Sequence, residues 1–308
     1  MIKKLIIGGA LLLLIAILII SFLILPFLRR NNQDTEDAYN EYSQNGGFDF
    51  FKGKPDYLTN SYDYDRIIPG ENSRYHYTDE NGNIISKTGI DVSYFQGDID
   101  WNKVKADGID FVIVRVGYRG YESGIINLDR NFETYMQGAS EAGLELGVYF
   151  FSQAINIDEV VEEAQFVLEK VSDYNLTYPI IFDWEEPETS SARTHEVNTS
   201  ELTDFCMEFC REIKDAGYEP MIYSNRHMTS KLLDLKALSS YPFWYAEYRE
   251  KPVLDHNFTI WQYTHEGTVD GISTTVDLNI SFPQSKPDES TLATDDENIS
   301  TTDETTYN

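Results

Sequence analysis

The chain has 308 residues, 41% of them hydrophobic, and a formal net charge of −28. That excess of acid makes nucleic acid and anionic membrane surfaces poor partners for its soluble part. Two cysteines and five histidines (76, 195, 227, 256 and 265) form neither a disulfide framework nor a zinc pattern, so no metal and no cofactor is expected.

Residues 5–28 carry no charge and are almost wholly aliphatic, with Lys3 and Lys4 before them and Arg29 and Arg30 after. A helix of that length is about 36 Å long, enough to cross a hydrocarbon core of about 30 Å. A cleaved signal peptide has a shorter apolar run, and "LILPFLRR" holds no small-x-small cleavage site, so residues 5–28 are expected to be an uncleaved membrane anchor. Residues 31–85 are acidic and rich in Tyr, Asn and Gly and read as a linker, with one aromatic stretch, "GFDFFKGKPDYL", suited to docking. Short β-like runs on either side of Asn81-Gly82 predict a hairpin over residues 74–87. Residues 284–308 form a Ser/Thr/Asp/Glu tail with almost nothing to bury, the composition of a disordered segment.

Between linker and tail lies one domain, residues 86–283, of ordinary single-domain size. Eight runs read as strands: "TGIDVS" (88–93), "FVIVRVG" (111–117), "LELGVYFFS" (144–152), "YPIIFDW" (178–184), "EPMIYS" (219–224), "FWYAEY" (243–248), "FTIWQY" (258–263) and "TTVDLNI" (274–280). Helical patterns fill the early gaps, over residues 101–106, 131–142, 157–171 and 200–216, and Gly108, Gly143 and Gly217 stand where helix C-caps belong. Cys206 and Cys210, four apart, share a helix face with Leu202 and Phe209, the placement of buried thiols. Repeated strand-then-helix with near-continuous apolar strands indicates a parallel sheet covered by helices. The last connections are too short for crossover helices. The expected fold class is therefore α/β: an irregular (β/α) TIM-like barrel of five β/α units followed by three strands, preceded by one transmembrane helix.

In such barrels function sits at the C-terminal ends of the strands. Asp91 lies there on the first strand, Asp183 and Glu185 on the fourth, and Asp277 on the last; barrel closure brings first and last strands side by side. Asp183 and Glu185, two apart, share a strand face, and like charges held together raise the cost of ionising both, which prepares a proton donor. The plainer reading of "FDWEEPE" is a strand leaving the core for a solvated acidic loop. Tyr118, Tyr149, Tyr223, Trp244 and Trp261 fall at comparable positions, as do Phe150, Tyr248 and Tyr263. Aromatic faces flanking carboxylates suit sugar rings.

The run "GIDVSYFQGDIDWNKVKADGIDFVIVRVGYRG" resembles the opening of glycoside hydrolase family 25, the N-acetylmuramidase lysozymes. So do "AGLELGVYFFSQA", the D-x-E of "IIFDWE", "IYSN", "FWYAEY", "WQYT" and "VDLN", in order over residues 88–281. The resemblance implies a β/α barrel that cleaves the β-1,4 bond between N-acetylmuramic acid and N-acetylglucosamine in peptidoglycan. It implies Glu185 as general acid, Asp183 as its partner, and Asp91 and Asp277 as the remaining cleft carboxylates. Phe95 departs from the tryptophan or histidine expected near that position. The chitinase signature D-x-x-D-x-D-x-E fails at Ile181. Two routes stay open: Asp183 steering the substrate's own N-acetyl group, or Asp183 or Asp277 activating water. The rival in a different class is a catalytically silent, membrane-tethered wall-binding protein on the same barrel. Cations on both flanks of the anchor give little topological bias. A wall substrate then sets the N-terminus in the cytoplasm and the barrel outside, as a monomer whose partners are glycan strands and the membrane.

Overall fold

The computed structural model describes residues 57–283, apart from residues 188 and 255. The expected anchor, the tail and most of the aromatic stretch before residue 57 lie outside them. Among the described residues no helix is long and apolar enough to cross a membrane.

Two short strands come first, β1 (Ile67–Pro69) and β2 (Tyr75–Tyr77), paired antiparallel. Then follow β3 (Lys87–Val92), α1 (Trp101–Ala106), β4 (Phe111–Arg119), β5 (Ile126–Leu128), α2 (Phe132–Glu141), β6 (Glu145–Ser152), α3 (Ile157–Val171) and β7 (Ile180–Trp184). The chain continues through α4 (Thr199–Asp215), β8 (Pro220–Asn225), α5 (Arg226–Lys231), β9 (Phe243–Ala246), β10 (Phe258–Gly267) and β11 (Val276–Ser281). Eight strands close a barrel in the order β3-β4-β6-β7-β8-β9-β10-β11, with β11 paired back to β3, while β5 adds a short ribbon to β4. Neighbours from β3 round to β10 run parallel; β11 alone is antiparallel to both of its neighbours. Five β/α units and then three strands are therefore what the chain forms.

Local signals fix the helices. Asp100, Asn156, Asn198 and Asn225 cap the N-termini of α1, α3, α4 and α5 through side-chain oxygens, satisfying amides that have no partner inside the helix. Gly108, Gly143 and Gly217 follow α1, α2 and α4 at φ near +88°, +74° and +87°, a conformation costly for any residue with a Cβ. Cys206 and Cys210 are free thiols buried on the inner face of α4 beside Leu202 and Phe209.

The barrel interior is packed, and its floor depends on Gly89. A Cβ there would lie 2.2 Å from the ring of Phe111, which stacks on Tyr178 at 4.3 Å. Among the described residues no helix covers the outer face of β9 to β11. Residues 57–80, expected as part of the linker, lie on it. Tyr62 stacks on Phe282 at 4.4 Å and Tyr75 on Trp261 at 5.7 Å, and Tyr64 and Tyr77 pack against Phe258 and Phe282. Thr59 bridges to His256, and Arg74 pairs with Asp107. The turn expected at Asn81-Gly82 is present as a single bridge, Thr78 to Ile84, with Gly82 at φ +82°. Beyond that bridge the Ile85 amide donates to the Tyr77 carbonyl at 2.9 Å and the Tyr77 amide to Ser86 Oγ at 2.8 Å, while the strand partner of Tyr75–Tyr77 is the upstream Ile67–Pro69 and Lys87 already belongs to the barrel.

Candidate active site

Strand alternation brings the acids to one mouth. On β3 the inner face carries Gly89 and then Asp91, and across the antiparallel pairing Asp91 stands directly opposite Asp277 of β11. On β7 Ile181 lies in the barrel interior and Asp183 follows on the same face, while Trp184 packs into the surrounding layer. Glu185 comes just past the last strand residue, half-buried at the rim. Asp91, Asp183, Glu185 and Asp277 line a single cleft of about 300 Å³ together with Tyr149, Tyr223 and Trp244.

Burial and mutual repulsion favour the protonated forms in this cluster. Burial raises Asp91 well above the usual carboxylate range, and Asp277 raises it further, against the pull of hydrogen bonds from Asn279 and Gln262. Asp183 is raised well above that range by burial first and by Glu185 second. Glu185 is pushed up to about 7 by burial and then by Asp277, and burial lifts Asp277 to about 6 although His265 draws it down.

Asp91 Oδ2 accepts from Asn279 Nδ2 at 2.8 Å and from Gln262 Nε2 at 3.0 Å. Asn279 Oδ1 in turn accepts from Trp244 Nε1 at 2.8 Å, and Gln262 Oε1 from the Tyr248 hydroxyl at 2.9 Å. The network leaves Asp91 well anchored. Asp183 differs: its Oδ1 is buried with no hydrogen-bond partner among the described residues. Arg115 enters the cleft from β4, its Nε donating to Asp129 at 2.9 Å and its guanidinium 5.1 Å from the Tyr94 ring.

Of the aromatics expected to meet substrate, Tyr149, Tyr223 and Trp244 line the cleft and Tyr248 stands half exposed at its edge. Trp261 does not. Ile260 and Gln262 face inward on β10, so Trp261 between them must face outward, where it is fully buried under Tyr75 and donates Nε1 to the Glu247 carbonyl at 2.9 Å. Tyr263 is on that same outer side, against Tyr75. Phe150 packs on Phe166 of α3. Tyr118 lies against the Arg115 guanidinium at 5.3 Å and is outside the set of cleft-lining residues. Arg115, Gln262 and Asn279 were not expected. Their signal was in the alternation: each stands two residues from an inward-facing residue of its own strand, Arg115 after Ile113, Gln262 after Ile260 and Asn279 after Asp277. Phe95, flagged as a departure, is a cleft residue, 64% exposed on the rim.

Known proteins share both fold and sequence with this chain. It is 27% identical to the autolytic lysozyme of Clostridium acetobutylicum over 192 residues, 62% of this chain and 54% of that protein. It is 28% identical to lysozyme M1 of Streptomyces globisporus over 203 residues, 62% of this chain and 66% of that one. The chain thus spans little more than half the length of the first of these relatives. Among solved structures, a family 25 glycosyl hydrolase from Bacillus anthracis superposes with a TM-score of 0.56 at 20% identity, covering 70% of this chain and 96% of that one. The modular autolysin LytC from Streptococcus pneumoniae, in complex with a synthetic peptidoglycan ligand, gives 0.59 at 24% identity, covering 70% and 52%. The sequence model of the glycosyl hydrolases family 25 matches residues 90–272, more than half of the chain and a span that holds Asp91, Asp183 and Glu185, and the chain belongs to this family.

Proposed function

We propose that the barrel is a peptidoglycan hydrolase that cuts the β-1,4 bond between N-acetylmuramic acid and N-acetylglucosamine. The observation that carries this reading is Glu185, a carboxyl held near neutrality, two residues from Asp183 in a cleft with two further acids. A general acid works best when its pKa lies near the working pH. The lysozyme relatives and the peptidoglycan ligand of the LytC structure support the choice of substrate.

The chemistry balances without a cofactor. The Glu185 proton passes to the glycosidic oxygen as the bond from that oxygen to C1 breaks, and the oxocarbenium-like centre gains from the acids around it. The unpartnered Oδ1 of Asp183 suits the N–H of the substrate's acetamido group, whose carbonyl oxygen then bonds to C1. Glu185, now a carboxylate, takes a proton from the water that opens this ring, giving net retention. If Asp277 instead activated water for direct displacement, the product would be inverted, and the anomer first released separates the two routes.

Residues 5–28 are proposed to anchor the chain with its N-terminus in the cytoplasm and the barrel facing the wall, since only there does such an enzyme meet its substrate. The test of function is purified peptidoglycan given to the wild-type chain and to Glu185→Gln. Soluble fragments from the first and none from the second are expected. Wild-type protein that sediments with the wall yet releases nothing would make this a wall-binding barrel.

A further inference from the structure

Glu185 lies one residue beyond β7, where the sheet no longer holds the backbone: the β6–β7 ladder ends at Trp184 and the β7–β8 ladder at Phe182. A side chain takes over. Gln153, the first residue after β6, is fully buried, and its Nε2 donates to the Glu185 carbonyl at 2.9 Å and to the Ser152 carbonyl at 2.9 Å. Its Oε1 accepts from the Thr194 hydroxyl at 2.9 Å, and Thr194 is itself buried. Both amide protons and the carbonyl oxygen are used, on three different segments: the end of β6, the chain after β7, and the 3-10 turn Arg193–Glu196. That turn is tied in its own right, through the Arg193 amide to the Tyr121 carbonyl at 3.0 Å and the Arg193 side chain to Glu159 of α3.

A buried glutamine with every hydrogen bond satisfied specifies one backbone position and penalises others, because moving the partner strands a polar group away from water. We infer that Gln153 is a positioning residue, which fixes the backbone at Glu185 and so sets how deeply its carboxyl sits in the cleft. This rests on the reading of Glu185 as the acid. The groups facing that carboxyl are Asp183 beside it, Asp91 of β3, Asp277 of β11 and the phenols of Tyr223 and Tyr248. Arg115 shares the cleft, and His227 of α5 pairs with the adjacent Glu186 at 3.2 Å. The hydrogen bonds of Gln153 go to the Ser152 and Glu185 carbonyls and the Thr194 hydroxyl, not to any of these side chains, so a change there acts on Glu185 through the backbone.

Burial is the largest cause of the raised Glu185 value. Release of its backbone lets water in, and the carboxyl falls toward the ordinary range. An acid must be protonated to act, so the alkaline limb of the activity profile moves to lower pH.

The experiment is the pH dependence of kcat and KM on soluble peptidoglycan fragments for the full chain and for Gln153→Met, Thr194→Val, Thr194→Ser and Glu185→Gln, with Tm for each. Gln153→Met keeps volume but no hydrogen bonds. We expect kcat to fall about tenfold or more with KM within about twofold, since misplacement of a reacting group by 1 Å can cost about a hundredfold, and the alkaline limb to shift down by at least half a pH unit. Thr194→Val should shift it the same way by less, and Thr194→Ser should restore the wild-type profile. If Gln153→Met does not fold, the Thr194 pair decides alone. A lower Tm with the limb and kcat unmoved overturns the inference and leaves Glu185 as the acid. Turnover retained by Glu185→Gln removes the acid itself, whatever the Gln153 and Thr194 variants do.

Discussion

The pleat of β7 turns Asp183 into the cleft, Glu185 follows it just past the strand end, and Asp91 and Asp277 join them because β11 runs antiparallel beside β3. The protons those acids hold set two pH dependences. Turnover should fall as pH rises through about 7, as Glu185 loses the proton it must give. Stability follows the same direction. A carboxyl whose folded pKa is raised binds its proton more tightly in the native state, so its contribution is complete on the acid side and is lost as pH rises through the raised value. Between the ordinary carboxylate range and about 7 the wild-type Tm should therefore decline with pH, and Glu185→Gln should flatten that decline while cutting kcat by about 10²–10⁴. At this scale the acids were legible in the sequence, since charges at the ends of apolar strands stand out. Trp261 was misjudged because an aromatic residue near a strand end has two faces to choose from. Its neighbours decide the phase, Ile260 packed in the barrel interior and Gln262 bonded to Asp91. Hence Trp261→Ala should cost about 3–5 kcal/mol of stability in denaturant titration and leave KM unchanged.

The barrel strands and the early helices announce themselves by local pattern: apolar runs, caps and the glycines after α1, α2 and α4. The segment over residues 57–80 does not. Its tyrosines come in isolated pairs, Tyr62 with Tyr64 and Tyr75 with Tyr77, too short to set a pattern, and their use depends on a nonlocal fact, that among the described residues no helix covers β9, β10 and β11. Here the aromatic segment does what a crossover helix does elsewhere in the barrel, keeping water from Phe258, Trp261 and Phe282. A chain beginning at residue 86 should accordingly unfold at lower denaturant concentration than one beginning at residue 57. Tyr77→Ala, at a ring that is 4% exposed against Phe282, should lose about 3 kcal/mol in the longer chain. Equal midpoints for the two chains would show that the segment only rests on the barrel.

For the molecule as a whole, the question is whether the cleft meets wall glycan. The proposed topology predicts that protease added to wall-stripped, intact cells releases a barrel that still digests peptidoglycan; protection until the membrane is breached would reverse the orientation. A net charge of −28 argues against capture by anionic polymers and leaves recognition to the cleft itself. The central claim concerns which glycosidic bond breaks there. Purified peptidoglycan digested by the full chain, reduced with borohydride and read by mass spectrometry, tests it most directly. Reduced N-acetylmuramic acid at the new ends is the predicted result, and reduced N-acetylglucosamine, or glycan left intact after long incubation, would contradict it.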